Sequence, residues 1–175
     1  IQTVTEILAE HADGDPEQRA TFLQPGRAQL AAGLIIFGPR LTFVLTLGSG
    51  AHVFGFSKAA AGFVLLQRSV QIPAEAKEFA INASNYRHWD SSVQLYFDDC
   101  LKGVHGPREQ NFNMRWLASV VVEAFRILMR GGVFLYPHDT RSPDRPGRLR
   151  LLCEANPLAM LVEHAGGDAS TGKQL

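Results

Sequence analysis

GGVFLYPHDTRSPDRPGRLRLLCEANPLAMLVEHAGG, residues Gly131–Gly167, is the stretch whose reading decides the fold. Two apolar runs, Val133–Tyr136 and Leu149–Cys153, have strand length, and a loop with three prolines and a glycine separates them. A helix is predicted next. Asn156 can cap it, Pro157 suits its first position, and Leu158, Leu161, Val162 and Ala165 share one face. Gly166-Gly167 supplies the stop. Glu154 is thereby predicted where a buried strand becomes a helix, a usual place for ligand and metal groups in α/β proteins. With Tyr136, Arg148 and Arg150 in the same segment, a carboxylate near arginines and a tyrosine suits a phosphorylated substrate held with a divalent cation. The plain alternative is an ion-paired residue at a strand end.

The totals bound the rest. A chain of 175 residues is long enough for one domain with a real core, and can hold parts of two. Seventeen basic and 17 acidic residues cancel, so no net field recruits nucleic acid or an anionic membrane. Two cysteines, Cys100 and Cys153, argue against a disulfide framework and for a reducing, cytoplasmic setting. No apolar run approaches the roughly 20 residues that span a bilayer, and no signal-like start is present. The chain opens at Ile1 and closes at Leu175 soon after a helix, and it reads as cut at both ends.

Outward from that stretch, Ile1–Ala9 suits a strand or a short helix, and His11–Gln24 reads as a surface loop around Gly14, Asp15 and Pro16. Four apolar runs follow: Gln29–Phe37, Leu41–Leu47, His52–Ser57 and Gly62–Gln67. Tight Gly/Pro-type turns separate them, and together they predict an antiparallel meander. Leu41, Phe43, Leu45 and Leu47 alternate with Thr42, Val44 and Thr46, so one face of that strand is the more deeply buried. After a linker at Pro73–Lys77, Phe79–Asn82 reads as a strand. Trp89–Leu101 and Met114–Met129 read as helices, with Asp90 a candidate cap and Gly131-Gly132 a stop. The fold class is α/β in α+β layers: an antiparallel meander, then a βαβ-like layer. The division falls at residues 1–77 and 78–175.

Several side chains can carry chemistry. Asn82 can donate to a phosphate from a strand end, where asparagine also serves as an ordinary turn residue. Arg115, read at a helix start beside Trp116, can clamp a phosphate or cross a subunit interface, or simply be a solvated helix-end arginine. Tyr86, Arg87 and His88 read as a surface loop, and His138 and Asp139 as structural or solvated in the absence of further ligands. The six histidines show no zinc spacing, and no GxSxG, Walker or GxGxxG motif occurs. Cys153 within an apolar run is predicted buried and inert.

The segments GGVFLYP and GRLRLLCEANPLAMLVEHAGGDASTG closely resemble the C-terminal half of class 1 fructose-1,6-bisphosphatases. FAINASNYRHW, NFNMRWLASVVVEAFRILMRGG and LQPGRAQLAAGLIIFGPRLTFVL are similar to the bacterial branch, and the likeness is collinear from about Phe22 onward. The resemblance implies the sugar-phosphatase fold and magnesium-dependent hydrolysis of the 1-phosphate of fructose 1,6-bisphosphate to fructose 6-phosphate and phosphate. It further implies a phosphoric monoester hydrolase of carbohydrate metabolism, in gluconeogenesis or the Calvin cycle, and a homo-oligomer, a tetramer, with two or more Mg²⁺ per site.

By motif, Glu154 of LLCEANP matches the family's metal-binding glutamate. Asn82 of FAINASN and Tyr136 of VFLYP match contacts to the 6-phosphate. Arg115 of NMRW matches the arginine that reaches the 6-phosphate of the neighbouring subunit. Tyr86 matches a further phosphate-contacting tyrosine across a loop one residue longer. Arg148 stands where the family's GKLRL pattern has a sugar-contacting lysine. Trp116 and Cys153 each replace a tyrosine. The DPLDGSSN motif, which supplies most of the metal carboxylates, is expected before Ile1, and with it the catalytic residues. No catalytic residue is therefore assigned within this chain, and the chain alone is expected to be inactive. The alternatives are a dual fructose/sedoheptulose bisphosphatase of carbon fixation and a non-catalytic sugar-phosphate-binding module.

Overall fold

A computed structural model of the chain describes residues 2–8, 24–141 and 147–172. Its first half is a five-stranded antiparallel sheet: β1 Gln2–Leu8, β2 Gln29–Ile36, β3 Thr42–Thr46, β4 Ala51–Ser57 and β5 Gly62–Val70, paired in chain order. The meander read from the turns is therefore present, and the ambiguous start of the chain is a strand that pairs Val4 with Leu34. Most of the loop read at His11–Gln24 lies outside the described residues.

On β3 the smaller residues face the core. Thr42, Val44 and Thr46 are buried, whereas Phe43 and Leu45 on the opposite face are half-buried. The inner face meets two helices, α2 (Val120–Arg130) and α3 (Asn156–Glu163), in a core that includes Leu34, Val44, Val53, Leu128 and Leu161. Thr46 tolerates full burial because its hydroxyl lies 2.7 Å from His164 Nδ1 beyond the end of α3. The outer face leaves Phe56, Phe63 and Leu65 more than 40% exposed.

The second half is built on three short parallel strands, β6 (Glu78–Ala80), β7 (Asn113–Met114) and β8 (Val133–Phe134), in the order β7-β6-β8. Alternation along β6 sets the layers. Phe79 and Ile81 pack with Trp89, Phe97 and Cys100, the last two on α1 (Ser91–Leu101). Glu78 points the other way, to Arg126 of α2. The helix α2 thus lies between the two sheets, α3 packs beside it on the antiparallel one, and α1 covers the far side of the parallel one. The turn from α2 into β8 requires glycine. Gly132 has φ 106°, and a Cβ there would stand 2.5 Å from the carbonyl oxygen of Glu78.

Three expected elements differ. Leu149–Cys153 is not a strand: Leu151–Ala155 forms a π-helical turn that runs directly into α3. An apolar run of five residues fits a helical turn as well as a strand. Asn156 is consequently the first residue of α3, with Ala155 in the cap position. Cys153, expected buried, is exposed on that turn, whereas Cys100 is buried. Finally, Met114 belongs to β7 and the helix begins only at Val120, so Arg115 follows a strand instead of opening a helix. Ser119 caps that helix, its hydroxyl accepting from Val122 N–H.

Candidate functional site

The three parallel strands end side by side, and two of the expected residues stand on that carboxyl rim. Asn82 lies two residues beyond Ala80 of β6, and Tyr136 two beyond Phe134 of β8, which pairs with Ala80. Leu135 N–H donates to Ala80 O at 2.8 Å, extending the ladder to the rim. The space beyond the carboxyl ends of parallel strands is where α/β folds bind ligands, because the chain leaves each strand there in a loop free to carry polar groups.

Asn82 caps the 3₁₀ turn Ala83–His88. Its Oδ1 accepts from Ser84 N–H at 3.2 Å and from the Ser84 hydroxyl at 2.6 Å. Only the oxygen of an amide can accept from a backbone N–H, so the Asn82 NH₂ group is left as a donor. Tyr136 is held by its ring. Its centroid lies 5.9 Å from Trp116 and 6.2 Å from Phe134, and Trp116 stacks on Phe134 with an interplanar angle of 7°. The Trp116 indole therefore serves as a packing wall of the rim.

Arg148 is tied to the same rim through Asp139, three residues beyond Tyr136. Asp139 Oδ2 accepts from Arg148 Nε at 3.1 Å and Nη2 at 2.7 Å, and also from Arg141 Nη2 at 2.7 Å. Arg141 reaches on to Asn85 Oδ1 at 2.8 Å, and Thr140 N–H donates to His88 O. The two guanidinium groups, Arg141 foremost, hold the Asp139 carboxyl well below the usual carboxylate range, against the upward push of burial. Asp139 is thus structural, as read, but Arg141 and Asn85 were missed. The available signal was an aspartate with arginines two and nine residues on, in one loop.

The other expected residues go elsewhere. Arg115 directs its guanidinium to Glu78, 3.8 Å away, in a cluster with Arg126 and Arg130. Burial pushes the Glu78 carboxyl up, but the hydrogen bond from Arg126 and the charges of Arg130, Arg126 and Arg115 together bring it down. Tyr86 donates its hydroxyl to Asp98 Oδ2 at 2.9 Å and packs edge-on against Trp89, so its phenol is engaged in the second core. That hydrogen bond to a carboxylate raises the Tyr86 pKa.

Glu154 sits on the π-helical turn and accepts from Arg150 twice, from N–H and from Nη2, each at 2.8 Å. The Arg150 hydrogen bond holds the Glu154 carboxyl below its ordinary value. Among the described residues no group of three or more His, Cys, Asp and Glu side chains converges to hold a metal ion. A lone carboxylate already paired with a guanidinium does not fit a Mg²⁺ cluster, which needs several hard oxygen ligands. Nor is any helix of the described residues long and apolar enough to cross a membrane.

The family described as "Fructose-1-6-bisphosphatase, C-terminal domain" matches residues 72–175. A class 1 fructose-1,6-bisphosphatase of Sinorhizobium medicae (strain WSM419) is 55% identical over 173 residues, 98% of this chain and 49% of its own length. The chain thus spans about half the length of this curated relative. Among solved structures, the Leishmania major fructose-1,6-bisphosphatase in its T-state superposes with a TM-score of 0.83 at 28% identity, over 94% of this chain and 51% of that one. The holo form of the same enzyme gives 0.76 at 31% identity, over 83% and 43%. The chain belongs to the fructose-1,6-bisphosphatase family, whose C-terminal domain it carries from residue 72 onward.

Proposed function

We propose that this chain is the sugar- and distal-phosphate-binding part of a class 1 fructose-1,6-bisphosphatase, whose whole hydrolyses the 1-phosphate of fructose 1,6-bisphosphate. The observation that carries the reading is the set of hydrogen-bond donors on the rim. The Asn82 NH₂ group, the Tyr136 hydroxyl and the Arg148 guanidinium stand around the ends of β6 and β8. Asp139, the carboxylate tied to Arg148, is already engaged by two arginines. Hydrogen-bond donors favour a phosphate dianion, and a guanidinium adds charge to the contact. Holding the 6-phosphate orients the reacting end of the sugar without performing chemistry on it.

Arg115 serves the neighbouring subunit in this reading. Its guanidinium is half exposed and directed to Glu78, at the start of β6, whereas Asn82 follows the strand's other end, which suits a contact made in trans within a homo-oligomer, a tetramer. Tyr86 belongs to the support of the site, since its hydroxyl is occupied by Asp98. The working protein is cytoplasmic and uses Mg²⁺. The described residues contribute Glu154 alone to such a metal site, and only after Arg150 releases it, so no step of the hydrolysis is derived from this chain. That same scarcity of carboxylates favours, for the isolated chain, binding of sugar phosphate without turnover.

Titration calorimetry of the 175-residue chain with fructose 6-phosphate tests the reading. Saturable binding is expected, weakened at least tenfold by Asn82→Asp. That change keeps the oxygen that caps the turn but replaces the donors with a negative charge. Equal affinity of the two proteins would refute the assignment. A phosphate-release assay on fructose 1,6-bisphosphate with added Mg²⁺ is expected to show no turnover.

A further inference from the structure

Asp139 is nearly inaccessible, 4% exposed, yet it is a charged group lined by two arginines in place of apolar partners. Its Oδ1 accepts from Arg141 N–H at 3.0 Å and from Arg141 Nε at 3.2 Å, and its Oδ2 takes the three guanidinium contacts described above. Burying such a carboxylate is a poor way to gain stability, because desolvation of the ions offsets much of their attraction. What it yields is geometry. Two donors of one guanidinium on a single oxygen fix the plane of Arg148, and among the described residues Arg148 Nη1 is left without a partner.

Building on the proposed function, we propose that Asp139 is a positioning residue: it holds Arg148, with Arg141, in one fixed orientation at the carboxyl ends of β6 and β8, so that Arg148 meets the phosphorylated sugar preorganised. Arg141 is the second anchor. Its hydrogen bond to Asn85, with that of Thr140 N–H to His88 O, fastens the Asp139 loop to the turn that begins at Asn82. The loop bearing Arg148 and the turn bearing Asn82 are thereby locked as one unit, and the sugar and phosphate contacts form together. The same device explains why arginine stands at position 148. A lysine offers its donors from a single nitrogen and cannot present Nε and Nη2 side by side to Asp139 while keeping a third nitrogen for the ligand. Arg148 and Asp139 therefore act as a matched pair, and changing either alone is costly to binding.

Charge and position make opposite predictions for Asp139→Asn. Removing a negative charge beside a phosphate strengthens binding if the carboxylate merely lowers the local potential. It weakens binding if the carboxylate aims the guanidinium. Affinities for fructose 6-phosphate and for inorganic phosphate are measured by titration calorimetry on the wild-type chain, Asp139→Asn, Arg148→Ala and the double variant, with circular dichroism to confirm the fold. Asp139→Asn is expected to weaken fructose 6-phosphate binding about tenfold and to add nothing in the Arg148→Ala background, since its effect passes through that side chain. Inorganic phosphate, with no sugar for Arg148 to reach, is expected to lose less. Wild-type binding with unchanged or tighter binding by Asp139→Asn overturns the positioning role and leaves the site standing. Additive losses in the double variant overturn it as well, as the mark of a purely structural residue. No binding by the wild type overturns the reading of the site and this inference together. Should Asp139→Asn not fold, Arg148→Lys carries the test: a fivefold or greater loss supports the pair, and wild-type affinity overturns it.

Discussion

The antiparallel sheet and the parallel sheet of this molecule divide the work. The first consists of five strands paired in chain order, its inner face packed against α2 and α3 and its outer face largely apolar and open. The second has strands of only two or three residues, brought together from positions 78, 113 and 133. The candidate contacts Asn82, Arg115 and Tyr136 all lie just beyond strands of the second. A sheet of local hairpins contributes buried area cheaply in loop entropy but presents tight turns at its ends. A parallel sheet needs long crossovers, and those crossovers leave the strand ends free to carry polar groups.

Breaking the inner face of the first sheet is expected to have the largest effect. Leu34 is fully buried between the strands and α3, so Leu34→Ala is expected to cost about 3 kcal/mol, read as a lower urea midpoint with little change in slope. The joint between the two layers comes next. Arg126 links Glu123, which is fully buried, to Glu78, and Arg126→Ala leaves both acids short of a partner. A loss of about 2–3 kcal/mol is expected in the same experiment. On the outer face the comparison sharpens. Phe63 is 41% exposed, so Phe63→Ser is expected to cost about 1 kcal/mol or less in spite of its ring contacts. A cost equal to that of Leu34→Ala would mean the two faces are not energetically distinct.

Two smaller effects belong to the rim. Tyr136→Phe keeps the ring against Trp116 and Phe134, so the melting temperature is expected to stay unchanged while fructose 6-phosphate binding weakens about fivefold, the worth of one hydrogen bond. The Asp139 carboxyl is depressed in the folded chain, so the stability it contributes is present above its unfolded pKa of about 4 and is lost as pH falls below that value. The stability difference between wild type and Asp139→Asn is therefore expected to be full at pH 7 and to narrow as the solution is acidified below about pH 4. A gap that widens on acidification would contradict the ion-pair account.

The legibility of the chain follows the same division. The meander could be read because Gly38-Pro39 and Gly48-Ser49-Gly50 mark turns whose consequences are purely local. Leu149–Cys153 was misread because its apolarity does not distinguish a strand from a helical turn, and with it went the burial of Cys153. At the site, motif resemblance singles out Asn82, Tyr136 and Arg148; Asn82 and Tyr136 follow the paired ends of β6 and β8, and Arg148 pairs with Asp139, three residues beyond Tyr136. Arg115 and Glu154 came by the same route but hold other partners, Glu78 and Arg150. The Asp139 network escaped because its members meet only when the loop folds back on the turn at Ala83–His88.

Sequence by itself determined the family, the order of antiparallel and then alternating elements, and the chemical types at the rim, because periodicity, turn residues and motifs are properties of neighbours along the chain. Tertiary structure alone decided which face of the meander is buried, which carboxylate each arginine meets and which donors remain for a ligand. Those outcomes depend on groups far apart in the chain, such as Arg126 and Glu78 or Arg141 and Asn85, and on the competition among them for the same few oxygens.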